Sequence, residues 1–270
     1  MTYQSPFDAL YNTTGKGSLE YNGTLDDVLS VLTESAFSQS LTTQPDIWAL
    51  HPPRILRAII DYKIGRPELP NVEQLLKDAI NITLDIYVNP QNTTRVVEAL
   101  KDEIQQMQLQ DLLTTPLTQP LDPTTWEAST PKRSQKTAHR LKKTTSADLL
   151  FIALGQGGIA AGMDVYLRYC ALTGSTNSAF YVARLSRLKL KDTRPKLTVT
   201  EIQYLQKEAQ GKEIVIFDED KSSGATIYNA RYYFSTKVFP TQNVITITNF
   251  DKIRELHKKW YEKLYEKIIK

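Results

Sequence analysis

Residues 214–226 read IVIFDEDKSSGAT: four apolar residues, two acids, a short polar loop with one glycine, and a small residue and threonine suited to open a helix. Ile214–Phe217 reads as a strand. The same punctuation occurs upstream, where Leu149–Leu154 (LLFIAL) is followed by GQGG and a helical stretch ending at Gly174. A short continuous apolar run of this kind is expected of a strand buried on both faces. Ala179–Ala183 (AFYVA) and Asn243–Thr248 (NVITIT) supply two more strands, and helical stretches lie between them. One starts near Thr200 and ends at Gly211, and a last one from about Asp251 places Ile253, Leu256, Trp260 and Leu264 on one face. Such alternation predicts an α/β fold, a parallel sheet flanked by helices. Ligands of such sheets bind beyond the carboxyl ends of the strands, where both glycine turns fall.

The turn after Phe217 has a definite chemistry. Exposed N–H groups and the dipole at a helix start favour an anion. Gly224 lets the backbone approach a phosphate, Ser222, Ser223 and Thr226 supply hydroxyl donors, and Lys221 adds positive charge. Asp218 and Glu219 suit sugar hydroxyls, or a magnesium ion bound to the sugar. The ligand implied carries a phosphate and a diol.

Position by position over 13 residues, IVIF-DE-DK-SS-G-A-T resembles the 5-phosphoribosyl-1-pyrophosphate (PRPP) motif of type I phosphoribosyltransferases. The resemblance implies that Asp218 and Glu219 contact the ribose hydroxyls as the catalytic acids and, directly or indirectly, the Mg2+ that accompanies PRPP. It implies that Asp220, Lys221, Ser222, Ser223, Gly224, Ala225 and Thr226 cradle the 5-phosphate. Gly155, Gln156, Gly157 and Gly158 resemble the family's pyrophosphate loop, with glutamine where many members carry arginine or lysine. Arg184, Arg187 and Lys189 fall in the segment that closes over the site in the family. Ser222 stands where 6-oxopurine transferases commonly hold an aspartate, which disfavours hypoxanthine or guanine as acceptor.

The resemblance covers roughly residues 148–250. It implies transfer of ribose-5-phosphate from PRPP to a small-molecule acceptor with release of pyrophosphate, in a homodimer. The alternative is a non-catalytic protein of the same fold that senses PRPP or a nucleoside monophosphate.

Residues 1–130 read as a mainly helical N-terminal region. Thr24 is placed to cap a helix through residue 37, Pro53 to start one that ends at Gly65, and Asn71 to precede a third; a fourth spans Thr93–Leu113. Residues 114–130, rich in proline and threonine, read as a connection. Residues 131–147 read as a basic linker, with Lys132, Arg133, Lys136, Arg140, Lys142 and Lys143 and no acid among them. No aromatic residue interleaves with these cations, and the net charge is only +3, so nucleic acid is not the favoured partner. The single cysteine, Cys170, excludes an internal disulfide and reads as a buried structural thiol. No apolar run approaches the roughly 18–20 residues that span a bilayer, and a cytoplasmic location is the expectation.

Overall fold

In the computed structural model, β3 (Leu149–Gly155) is buried at every position because it lies between two parallel neighbours. The structure describes residues 3–37, 44–67, 69, 71–145, 148–185, 191–221 and 224–252. β4 (Ala179–Arg184) pairs with one edge of β3, and β5 (Glu213–Lys221) with the other. β6 (Val244–Asp251) pairs with β5. The order is β4-β3-β5-β6, with all strands parallel.

α9 (Gly158–Thr173) carries the chain from β3 to β4, and α10 (Val199–Glu208) carries it from β4 past β3 to β5. The two crossovers run in opposite directions, so right-handed connections put α9 and α10 on opposite faces. α11 (Ala225–Tyr233) joins β5 to β6 on the α10 side. The reversal of direction lies between β3 and β5, which is where such sheets open a crevice. α10 begins at a capping box in which Thr198, rather than Thr200, accepts from the Glu201 N–H while Glu201 accepts from Thr198 N–H. The helix expected over Ile253–Leu264 lies outside the described residues.

The N-terminal part is helical, as expected. α1 (Pro6–Thr13) is followed by β1 (Tyr21–Thr24), which pairs antiparallel with β2 (Pro116–Gln119). Thr24 caps α2 (Leu25–Phe37), its hydroxyl accepting from Asp27 N–H at 3.2 Å. α3 (Pro45–Gly65) starts earlier than Pro53 and runs through both Pro52 and Pro53. Proline at 53 leaves the Ala49 carbonyl without its helical donor, and the Tyr87 hydroxyl fills that place at 2.5 Å. α4 (Val72–Val88) packs along α3. The fourth helical stretch divides into α5 (Thr93–Gln106) and α6 (Gln110–Thr114), with Gln108 at φ 59° between them. The connection after it contains β2 and α7 (Pro123–Ala128).

The basic stretch expected as a linker is instead a helix, α8 (Pro131–Thr144), which buries Ser134, Thr137, Ala138 and Leu141 and packs on α9. Its apolar and small residues recur at helical spacing, which a loop does not need. The buried apolar residues form one continuous cluster from Phe7 to Ile247. The passage from the helical region to the sheet after α8 is thus a change of secondary structure, and the core crosses it. Cys170 lies half-buried on α9, where burial pushes its thiol up to about 11, leaving it protonated and a poor nucleophile at neutral pH. Among the described residues, no helix is long and apolar enough to cross a membrane.

Candidate functional site

The two turns singled out in the sequence meet at the carboxyl ends of β3 and β5. Ala153 pairs with Phe217, so Gly155–Gly158 and Asp218–Glu219 leave adjacent strands side by side. The Gly155–Gln156 peptide is cis, and α9 begins at Gly158. The glutamate lies directly against the turn. A Cβ on Gly157 would stand 1.8 Å from Glu219 Oε1, and one on Gly158 would stand 3.3 Å from Glu219 Oε2. A Cβ at position 157 would displace the Glu219 carboxylate from the turn, although the φ of −71° is open to any residue.

The acids are held in place. The Thr125 hydroxyl, from α7, donates to Glu219 Oε1 at 3.2 Å, and the Glu219 N–H donates to Asp218 Oδ1 at 3.1 Å. Asp218 is buried, and its carboxyl is held well above the usual range by desolvation, then by the neighbouring Glu219 and Asp220. A shared proton or a bound cation relieves that repulsion. Among the described residues no group of three or more His, Cys, Asp or Glu side chains converges as a metal site. Two carboxylates nonetheless match the protein share of a Mg2+ shell whose other ligands are substrate oxygens and water.

β5 runs on to Lys221, so Asp220 and Lys221 belong to the strand and not to the turn; they pair with Phe250 and Asp251 of β6. Strand hydrogen bonding to β6 outweighs the polar character that makes DEDK look like a loop. Lys221 Nζ donates to Asp251 at 3.1 Å. Gly224 adopts a left-handed φ of 76° and leads into α11, whose first residues are Ala225 and Thr226. Ser222, Ser223, Arg187 and Lys189 lie outside the described residues.

Arg184 ends β4 and is already paired, with Asp61 at 2.9 Å and Asp192 at 3.4 Å. Gln156 Nε2 approaches the other Asp61 oxygen at 3.5 Å. Asp61 also faces Arg57 of the same helix at 3.8 Å. The N-terminal region therefore reaches the sheet's carboxyl end through Arg57 and Asp61 of α3 and Thr125 of α7. Sequence reasoning missed all three. The spacing of Arg57 and Asp61 reads as an i,i+4 pair, but a spacing does not say which surface the pair faces.

Protein-family models, curated proteins and solved structures were all compared with the chain, and none matches it.

Proposed function

We propose that the chain binds PRPP with Mg2+ at the carboxyl ends of β3 and β5 and transfers its ribose-5-phosphate to a small-molecule acceptor, releasing pyrophosphate. The observation that carries this reading is the contact between Glu219 and Gly157. It joins the acids that suit a ribose diol to a glycine turn at a helix start, which suits a diphosphate. In this reading Asp218 and Glu219 orient the ribose and hold the cation. Gly155–Gly158 present amides to the diphosphate, and the start of α11 receives the 5-phosphate. Such a reaction develops positive charge on the ribose ring and negative charge on the leaving pyrophosphate, so orientation and charge compensation are the protein's main tasks.

One observation favours a second reading, a non-catalytic sensor of PRPP or a nucleoside monophosphate. Of the cations expected to offset the leaving charge, Arg184 is already engaged with carboxylates of the chain, and position 156 is an uncharged glutamine.

Calorimetry with PRPP and Mg2+, followed by pyrophosphate release over a panel of acceptors, separates the two. Transfer predicts binding and release, both abolished by Asp218→Asn with Glu219→Gln. Binding without release on any acceptor supports the sensor. A protein that binds neither PRPP nor a nucleoside monophosphate sinks both.

A further inference from the structure

A cleft of about 40 Å3 lies between α3, α7 and α9 and opens beside Gln156 and Gly157. A water molecule occupies about 30 Å3 of liquid, so the enclosed part admits one small polar group and not a ring. Much of its wall is apolar, with Leu10, Leu50, Pro53 and Trp126. Its polar lining is rich in donors.

Arg54 is 4% exposed and, among the described residues, bonds only neutral groups: the Ser18 and Leu19 carbonyls, Gln119 Oε1 and His51 Nδ1. Burial, followed by the arginine's charge, pushes His51 down to about 3, so the imidazole is neutral and offers no compensation. Among the described residues no carboxylate lies within ion-pair distance of Arg54. Arg57, in the same wall, donates one N–H to the Thr118 carbonyl at 2.7 Å, while its buried Nε finds no acceptor at hydrogen-bond distance among the described residues and meets Asp61 at 3.8 Å. The buried Ser129 hydroxyl lies beside that of Tyr11 and makes no bond of good geometry among the described residues. The Tyr11 hydroxyl donates instead to the Trp126 carbonyl, 2.5 Å away.

Buried donors without acceptors and a buried guanidinium without an anion are costly, and one ligand group cures both faults at once. That group is an anion. We propose that this cleft seats the carboxylate of an aromatic acceptor, whose ring lies in the mouth beside Gln156 and Gly157, and that it selects anionic over neutral acceptors. The inference rests on the phosphoribosyl-transfer reading of the adjacent turn. Under that reading the mouth is where an acceptor must stand to reach the ribose, and the N-terminal helices supply its specificity.

The test is calorimetry on the full chain with Mg2+ and PRPP present, titrating benzoate and nicotinate against benzamide and nicotinamide. PRPP is titrated separately into the same preparations. The carboxylates are expected to bind at least tenfold more tightly than their amides, as befits hydrogen bonds to a charged group. Arg57→Met is expected to weaken carboxylate binding about tenfold or more; Ser129→Ala is expected to weaken it about threefold with PRPP affinity unchanged. Ser129→Ala removes one hydroxyl that makes no bond of good geometry among the described residues, so it reports on the site even if Arg57→Met does not fold. Equal affinity for carboxylate and amide, or carboxylate affinity untouched by Ser129→Ala, overturns the anionic subsite while PRPP binding stands. Failure of PRPP to bind the wild-type chain overturns the transfer reading, and the acceptor assignment with it.

Discussion

At Asp218, Glu219 and Asp220 three acidic side chains follow one another along a single strand, and the first of them is buried. Burial makes the Asp218 carboxyl harder to ionise in the folded chain than in the unfolded one. The folded state therefore retains a proton that the unfolded state releases above the ordinary aspartate range of about 4, and stability falls as pH rises from there. An asparagine in its place would carry no such cost, while its side-chain oxygen still accepts from Glu219 N–H. Asp218→Asn should unfold at a higher temperature than wild type at pH 7, by about 2–4 °C for each kcal/mol relieved. The gap should narrow at pH 5. Differential scanning calorimetry at the two pH values checks this; a gap that is constant, or wider in acid, contradicts the assignment. Stability gained at a residue proposed to bind a ligand fits the trade-off between stability and function. Both acids were legible as residues, since a buried strand ending in DE is unusual in itself. Their support was not: Thr125 lies about ninety positions upstream, and nothing in TTW indicates that its hydroxyl meets Glu219.

The fit of α9 onto the sheet depends on Gly162. A Cβ there would stand 2.7 Å from the Ala153 Cβ of β3 and 3.2 Å from the Phe217 ring of β5. Neither atom is the end of a flexible chain, so Gly162→Ala must push the helix away from the strands whose ends carry the site. Overpacking of this kind costs about 1–3 kcal/mol, against about 1 kcal/mol gained from alanine's helix propensity. The net expectation is a loss of up to about 2 kcal/mol, read as a lower midpoint in urea at unchanged slope; a midpoint above wild type would mean that α9 sits less tightly than the geometry states. Elements were legible where local rules and packing agree. LLFIAL and IVIF became the central strands, and GQGG became the turn before a helix. They failed where a distant partner decides. Pro53 looks like a first helical residue until the Tyr87 hydroxyl takes up the Ala49 carbonyl, and DEDK looks like a loop until β6 pairs with it. Helix α8 was hidden by its charge, because only four of its side chains are buried and none is large apart from Leu141.

Across the whole molecule, the helical region and the sheet are joined by polar contacts as well as by the shared core. Arg168 of α9 bonds Asp8 of α1 and the fully buried Asp164, which also accepts from Tyr3 and Ser5. On the other side of the sheet Lys63 of α3 pairs with Glu201 of α10, and the Tyr181 hydroxyl of β4 donates to the same carboxylate oxygen at 2.6 Å. The Lys63 and Glu201 side chains are 7% and 1% exposed. Their pairing therefore has little solvent screening, and removing one partner leaves a buried charge, at a cost of about 3–5 kcal/mol. Which part of the molecule bears that loss tells whether it unfolds as one unit. If α3 and the sheet open together, Lys63→Met should speed hydrogen exchange equally in peptides from α4 and from β3 and β5, because all of them exchange through the same global opening. If the helical region opened on its own, α4 would lose protection while β3 and β5 kept theirs. Exchange measured by mass spectrometry on wild type and variant distinguishes the two. The continuous core favours the first outcome. The proposed site, drawing Asp61 and Thr125 from the helices and Asp218 and Glu219 from the sheet, can then keep its geometry only while the entire chain is folded, and a lost contact between α3 and α10 should weaken the proposed PRPP binding only in proportion to the unfolded fraction.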